Sequence, residues 1–351
     1  MYDVSTDTGA NDQRAVRDGL IDIHAHFVPE NFPSYKGRKP DARWPSMQPG
    51  DAGWRNVMLG GVFYRRVPAQ CWRVDEMIQG MVQRQVSLQV LSPMPELLSY
   101  WLDPEDGAVL CRYLNEEAAR LVAMAPQRLA GLGAVPLQDV GLAIRELEVA
   151  VGELQLAGVE IGTNVNGVPI GHPQFAPFFE AAEALGASLF IHPLRPAGLD
   201  RLVGPVGLEQ VVAFPGETAL AAASLITGGT LAKFPGLRIA FSHGGGSFSS
   251  VLPRLQYAWE TFPSFREQVA VEPCLAARKL FYDSAVYDAG AFQHLVQVFG
   301  EDQIVIGTDA PFAIMERNPQ GRLQALEADT TVKQLIGRDN ALRWLRLNGR
   351  G

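Results

Sequence analysis

The sequence predicts an α/β fold in which eight short apolar runs alternate with helical patterns and close into a (β/α)8 barrel of the TIM type, with a small insertion or lid after the first strand. Three observations carry that expectation. The eight runs are nearly continuous in apolar residues, as strands covered on both faces must be. Segments with apolar residues at three- and four-residue spacing lie between them. Several runs end in a histidine or an aspartate, and the strand ends of a barrel meet at one mouth.

Taken in order, the strands are expected at Gly19–His24, Ser87–Ser92, Leu129–Val135, Gly158–Thr163, Ser188–His192, Leu237–His243, Leu280–Ala285 and Ile304–Asp309. Helices are expected near Val74–Arg84 and at Asp103–Met124, Asp139–Leu154, Pro173–Leu185, Glu217–Lys233 and Gly290–Phe299. In the third of these, Ile144, Leu147, Val151 and Leu154 share one face. The stretch Phe27–Trp72 breaks the rhythm. It is irregular, rich in Pro, Gly, Arg and Trp, and leaves from the C-terminal end of the first strand. A connection so long is usually functional, so residues 27–72 read as a lid or cap over the mouth, with a solvated loop as the plain alternative. Residues 1–19 are polar, lack the apolar core of a secretory signal and read as a flexible tail; the barrel occupies 20–351.

Composition narrows the function. The chain has 351 residues, 47% of them apolar, and a mean hydropathy of +0.01, which suits a globular protein with a large core. Net charge is −8 and no Lys/Arg cluster stands out, which argues against nucleic acid or an anionic membrane as partner. No apolar stretch is long enough for a membrane span. Cys71, Cys111 and Cys274 are odd in number and far apart, so a cytoplasmic location is expected rather than a disulfide framework.

The chemistry gathers at strand ends. In Ile21-Asp22-Ile23-His24-Ala25-His26 the two histidines are spaced to point to the same side of a strand. They supply half of a metal site, and His192 and Asp309 end two later strands. Three histidines and one aspartate suit zinc or a similar divalent ion such as manganese. His243, ahead of Gly244-Gly245-Gly246, reads as a general acid/base beside the metal, with the glycines letting backbone approach a ligand; a fifth ligand or a structural histidine is the alternative. His172 and His294 fall in an exposed-looking loop and a helix and read as bland.

Strand-end His-x-His followed by His, His and Asp resembles the amidohydrolase superfamily. No lysine lies near the end of the fourth strand, Glu160-Ile161-Gly162-Thr163-Asn164, so the resemblance implies a single metal ion. Ile21–Phe27, Leu132–Leu137, Gly158–Asn166, Ile191–Pro193, Phe241–Phe248 and Gly307–Phe312 resemble the 2-amino-3-carboxymuconate-6-semialdehyde decarboxylase clade, as do Gln70-Cys71-Trp72, Leu98-Ser99-Tyr100-Trp101, Gly216-Glu217-Thr218 and Asp283-Ser284-Ala285.

That resemblance implies zinc bound by His24, His26, His192 and Asp309, with His243 activating water at the metal. It implies two carboxylate-binding arginines: Arg65, seven residues before Trp72, and Arg254, supplied across a homodimer interface. Guanidinium groups suit that task because they bind carboxylates bidentately. Phe312 would line the pocket. The chain departs from the clade at Leu194-Arg195, where Trp-Asp is usual, at Ala310, where an aromatic residue is usual, and at Gly61, where one branch has a basic residue. These departures imply a roomier pocket with a possible extra cation at Arg195.

The function so implied is zinc-dependent, non-oxidative decarboxylation of an unsaturated or aromatic carboxylic acid, 2-amino-3-carboxymuconate-6-semialdehyde or a relative of it. Two routes stay open: hydroxide adds to a conjugated carbon after His243 takes a proton, or Asp309 protonates a ring carbon directly. The alternatives are a metal-dependent hydrolase or hydratase acting on an amide, lactone or conjugated acid, and a metal-stabilised binding protein.

Overall fold

The computed structural model describes residues 19–346 apart from 40, 41 and 52, so the expected tail at 1–18 lies outside the described residues. Eight parallel strands form one sheet in the order β1 (Leu20–Phe27), β5 (Val86–Pro93), β6 (Leu129–Ala134), β7 (Gly158–Gly162), β10 (Ser188–His192), β11 (Arg238–Phe241), β12 (Phe281–Asp283) and β13 (Ile304–Val305). The ring closes where the last strand meets the first. Asp22 bridges Ile306 and Ala25 bridges Ala310, and the Ile23 amide donates to the Ile306 carbonyl at 2.9 Å. The expected barrel is present, and the hairpin of β8 (Asn164–Val165) and β9 (Val168–Pro169) stands apart from it as a two-stranded sheet.

Strand ends differ from the expectation in a way that matters. β1 runs on to Phe27, so His24 and His26 lie within it rather than at its end. The runs expected to reach His243, Ala285 and Asp309 stop short of those residues. His243 and Asp309 have φ of +53° and +61°, a left-handed backbone that leaves the ladder and turns both side chains into the mouth.

Helices follow the apolar periodicity, with breaks where local chemistry demands them. Asp139 caps Val140–Glu148 by accepting from the Leu142 amide at 2.8 Å, and Asp288 caps Ala289–Phe299 by accepting from the Ala291 amide at 2.9 Å. The expected Asp139–Leu154 helix widens into a π turn at Val149–Glu153. The expected Glu217–Lys233 helix starts at Phe214 and breaks at Gly229, whose φ is +77°.

Residues 27–72 are not irregular throughout. They hold a three-stranded antiparallel sheet of β2 (Pro45–Pro49), β3 (Trp54–Leu59) and β4 (Val62–Pro68). The Gly60-Gly61 turn, both residues at positive φ, is what a tight hairpin of matching twist requires. Val57 and Val67 anchor the sheet in the main core, and the Trp44 indole donates to the Pro33 carbonyl at 2.8 Å.

Between sheet and helices lies one large apolar cluster. A second takes Ile21, Ile23, Val90, Leu132, Phe190, Ala240, Phe281 and Val305 from every barrel strand but β7, which only the barrel interior allows. Trp344 of the helix Asn340–Leu345 packs on Phe190 with ring centres 6.3 Å apart and closes that interior from one end.

Candidate active site and metal centre

Barrel closure brings His24, His26, His192 and Asp309 together: one ligand atom from each lies within 4.8 Å of all the others, and all four residues are buried. The Nε2 atoms of His24 and His26 are 3.0 Å apart, and Asp309 Oδ1 is 3.5 and 3.3 Å from them.

Each imidazole is held from behind through its other nitrogen. His24 Nδ1 lies 2.5 Å from Asp283 Oδ2. His26 Nδ1 is 3.2 Å from both the Pro93 carbonyl and Ser92 Oγ. His192 Nδ1 faces the Pro193 carbonyl at 3.0 Å. With Nδ1 donating outward, the Nε2 lone pairs face the centre. Among the described residues His192 Nε2 and Asp309 Oδ1 are buried without a partner. Unmet buried acceptors that face one another are costly, and a divalent cation at their centre satisfies them together. The residues present therefore fit a metal ion.

Electrostatics agree with that arrangement. Burial and the neighbouring imidazoles hold the His192 ring well below its ordinary value, which keeps it a neutral ligand. Burial opposes the Asp309 charge, but His24, His243 and His26 outweigh it and hold the carboxyl well below the usual range. His243 Nε2 lies 3.6 Å from Asp309 Oδ2. Burial opposes the charged ring of His243, yet Asp309, Asp283 and Glu160 raise it above the ordinary imidazole value. Outside the four-ligand cluster and next to it, His243 can carry a proton to or from the centre.

Two buried carboxylates escaped the sequence reading. Asp283 holds His24, and its Oδ1 also accepts from the Gly244 and Ala285 amides, each at 3.0 Å. Its signals in the sequence were its place at the end of a strand and in the Asp283-Ser284-Ala285 block of the resemblance, neither of which gave it a role. Glu160, on β7, lies 3.7 Å from His26 Nδ1; burial pushes its carboxyl up to about 7.

A cavity of about 440 Å³ opens over the centre and is lined by His192, His243 and Asp309 together with Phe214, Pro215 and Phe312. Phe312 stacks on His26 with ring centres 5.2 Å apart. Tyr64 and Arg65 of β4 reach the same wall, so the inserted sheet contributes to the pocket. The Arg65 guanidinium carbon lies 4.5 Å from the centre of the Phe312 ring. His294, expected to be bland, sits on the helix face that borders the cavity.

Arg195 does not line the cavity; its guanidinium packs on Trp101 at 4.3 Å. Leu194 and Ala310 are buried outside the cavity lining, and Gly61 is in the hairpin turn of the inserted sheet. Arg254 is exposed on the helix Phe248–Thr261 and does not reach its own chain's cavity. Gly246 borders the cavity, and the glycine run is also required by packing: a Cβ at Gly246 would lie 2.2 Å from the Pro215 carbonyl oxygen, and one at Gly245 would lie 2.8 Å from Tyr282.

With this geometry the chain can be compared with known proteins. The profile of the family described as amidohydrolase matches residues 21–347, and the chain belongs to that family. It is 36% identical over 331 residues to 2-amino-3-carboxymuconate-6-semialdehyde decarboxylase from Dictyostelium discoideum, spanning 93% of this chain and 92% of that one. The crystal structure of 5-carboxyvanillate decarboxylase from Sphingomonas paucimobilis matches with a TM-score of 0.71 at 29% identity, over 77% of this chain and 82% of that one. A dihydroxybenzoic acid decarboxylase from Polaromonas sp. JS666, solved with manganese and 2-nitroresorcinol, shares the fold with a TM-score of 0.74 at 22% identity, over 94% and 98%. The protein is a metal-dependent carboxy-lyase, and His24, His26, His192 and Asp309 form its divalent metal site.

Proposed function

We propose that this enzyme removes CO2, without oxidation, from 2-amino-3-carboxymuconate-6-semialdehyde or a closely related conjugated or aromatic acid, with zinc as its metal. The observation that carries the reading is that Arg65, the His243–Asp309 pair and the metal ligand His192 all open on one cavity with largely apolar walls. A cation-binding centre beside an anion-binding arginine suits a small carboxylate.

When bound, the divalent ion polarises and neutralises negative charge that develops on the substrate. The chain's own residues do the rest. Arg65 holds a carboxylate by a bidentate pair, and Arg254 of a second copy is assigned the same task across a homodimer interface. Phe214 and Phe312 confine a planar carbon skeleton and exclude water. His243 and Asp309, 3.6 Å apart, move the one proton the reaction needs: the C–CO2 bond breaks, its electron pair stays on carbon, and that carbon takes the proton. Asp283 keeps His24 oriented throughout. No helix among the described residues is long and apolar enough to cross a membrane, and the three free cysteines support a reducing, cytoplasmic setting.

The test is a coupled assay. Zinc-loaded protein is offered the semialdehyde while loss of its absorbance and release of CO2 are followed together. Turnover should fall by about 10²-fold or more in His243→Ala with metal content retained. Full activity in that variant removes His243 from the mechanism. Consumption of substrate with no CO2 removes the decarboxylase reading in favour of hydration or hydrolysis.

A further inference from the structure

We infer that Glu96 is a specificity-determining residue, selecting acids that carry a neutral O–H or N–H donor near the carboxylate that Arg65 takes. The inference deepens the decarboxylase reading and rests on it for the purpose of the cavity. Glu96 lies on the 3₁₀ turn Pro95–Leu98, just past β5, and lines the cavity. Among the described residues its carboxylate has one hydrogen bond, from the Tyr64 hydroxyl at 3.4 Å. The Arg65 guanidinium carbon lies 5.7 Å from the centre of the Tyr64 ring. An anion-binding group and an acceptor with spare capacity thus flank one aromatic ring on the same wall.

A carboxylate offers about four acceptor positions, and one long bond from a tyrosine leaves most of them unmet. Glu96 is half-buried on a largely apolar wall, where a ligand that supplies a donor meets that capacity better than one that does not. An acid lacking the donor would leave Glu96 against apolar surface, and sites built to bond a donor reject such analogues strongly. The donor is a neutral one. Burial pushes the Glu96 carboxyl up from its ordinary value, while the charges of Arg195, Arg43 and Arg65 act against that rise, and the same three cations disfavour an ammonium group beside it. Arg43 and Arg195 are fixed there by Trp101, on which they pack at 4.6 and 4.3 Å.

Calorimetric binding to the zinc-loaded protein tests this without reading turnover, so failure of the decarboxylase reading and failure of this inference are separable. The probes are benzoate, the three aminobenzoates and the three hydroxybenzoates. At least one substituted isomer should bind about tenfold tighter than benzoate, and Glu96→Leu should abolish that advantage while leaving benzoate affinity in place. Advantage in the amino or the hydroxy series identifies which donor the site takes. An advantage that survives Glu96→Leu, or no advantage in the wild type, overturns the inference. Should Glu96→Leu lose its fold or its metal, Glu96→Gln replaces it: the preferred isomer should weaken at least threefold relative to benzoate, and an unchanged ratio overturns the inference.

Discussion

Asp283 does not line the cavity, yet it ties two parts of the centre together. One oxygen fixes His24 at 2.5 Å, and the other accepts the Gly244 amide just after His243. Replacing it by Asn removes the charge that favours an Nδ1 proton on His24 and leaves an amide that can present the wrong group. Metal affinity of Asp283→Asn should fall by about 10–100-fold, read by competition with a chromophoric chelator. Arg65 makes a second case. Its planar fork matches a carboxylate, whereas a lysine offers only a point charge. Arg65→Lys should raise KM about tenfold with a smaller effect on kcat, and an unchanged KM would remove Arg65 from substrate binding. The ligand residues were legible because each stands at or near the end of an apolar run. Asp283 and Glu160 were not, since what gives them a role is a partner 259 residues away for the first and 134 residues away, 160 − 26, for the second.

At the level of elements, the turn from β11 into the helix Phe248–Thr261 is the tightest passage near the site. Gly246 has φ of +62°, and a Cβ there would lie 2.2 Å from a backbone oxygen of Pro215. That oxygen cannot swing aside as a side chain would. Gly246→Ala should therefore cost about 2–4 kcal/mol in urea unfolding, with lost activity as the His243 loop shifts. Gly216, in the helix Phe214–Thr227, has open space at its Cβ position. Gly216→Ala should stabilise by about 0.4–1 kcal/mol in the same experiment. The inserted sheet shows why some elements were not legible. Its strands carry Pro, Arg and Trp in place of clean alternation, and only Gly60-Gly61 marks a hairpin. The barrel strands were legible because burial on both faces leaves no polar alternation to confuse them.

Across the whole molecule, the metal ligands join β1, β10 and the segment after β13, which are distant in sequence. A cation held there stabilises only the closed barrel. At a free metal concentration a thousand times its Kd the gain is about 4.1 kcal/mol, or roughly 6 °C in Tm for a chain of this size. Stripping the metal with a chelator should lower Tm by about that much, and zinc or manganese should restore it; an unchanged Tm would mean the centre does not hold a metal in the folded state. The proposed dimer has its own test. Mixed dimers of His243→Ala and Arg254→Ala protein should recover activity that neither variant has alone, because one of the two cavities then holds both groups. No recovery would assign Arg254 to its own chain's surface.

The chain read alone specifies the barrel, the four metal ligands and His243 as the adjoining histidine, since strand periodicity and strand-end chemistry are local properties. Which other side chains reach the cavity is a matter of how loops from different strands are aimed once the ring closes. Only the tertiary structure could bring Glu96 and His294 to its wall, put Asp283 behind His24, and set Arg195 on Trp101.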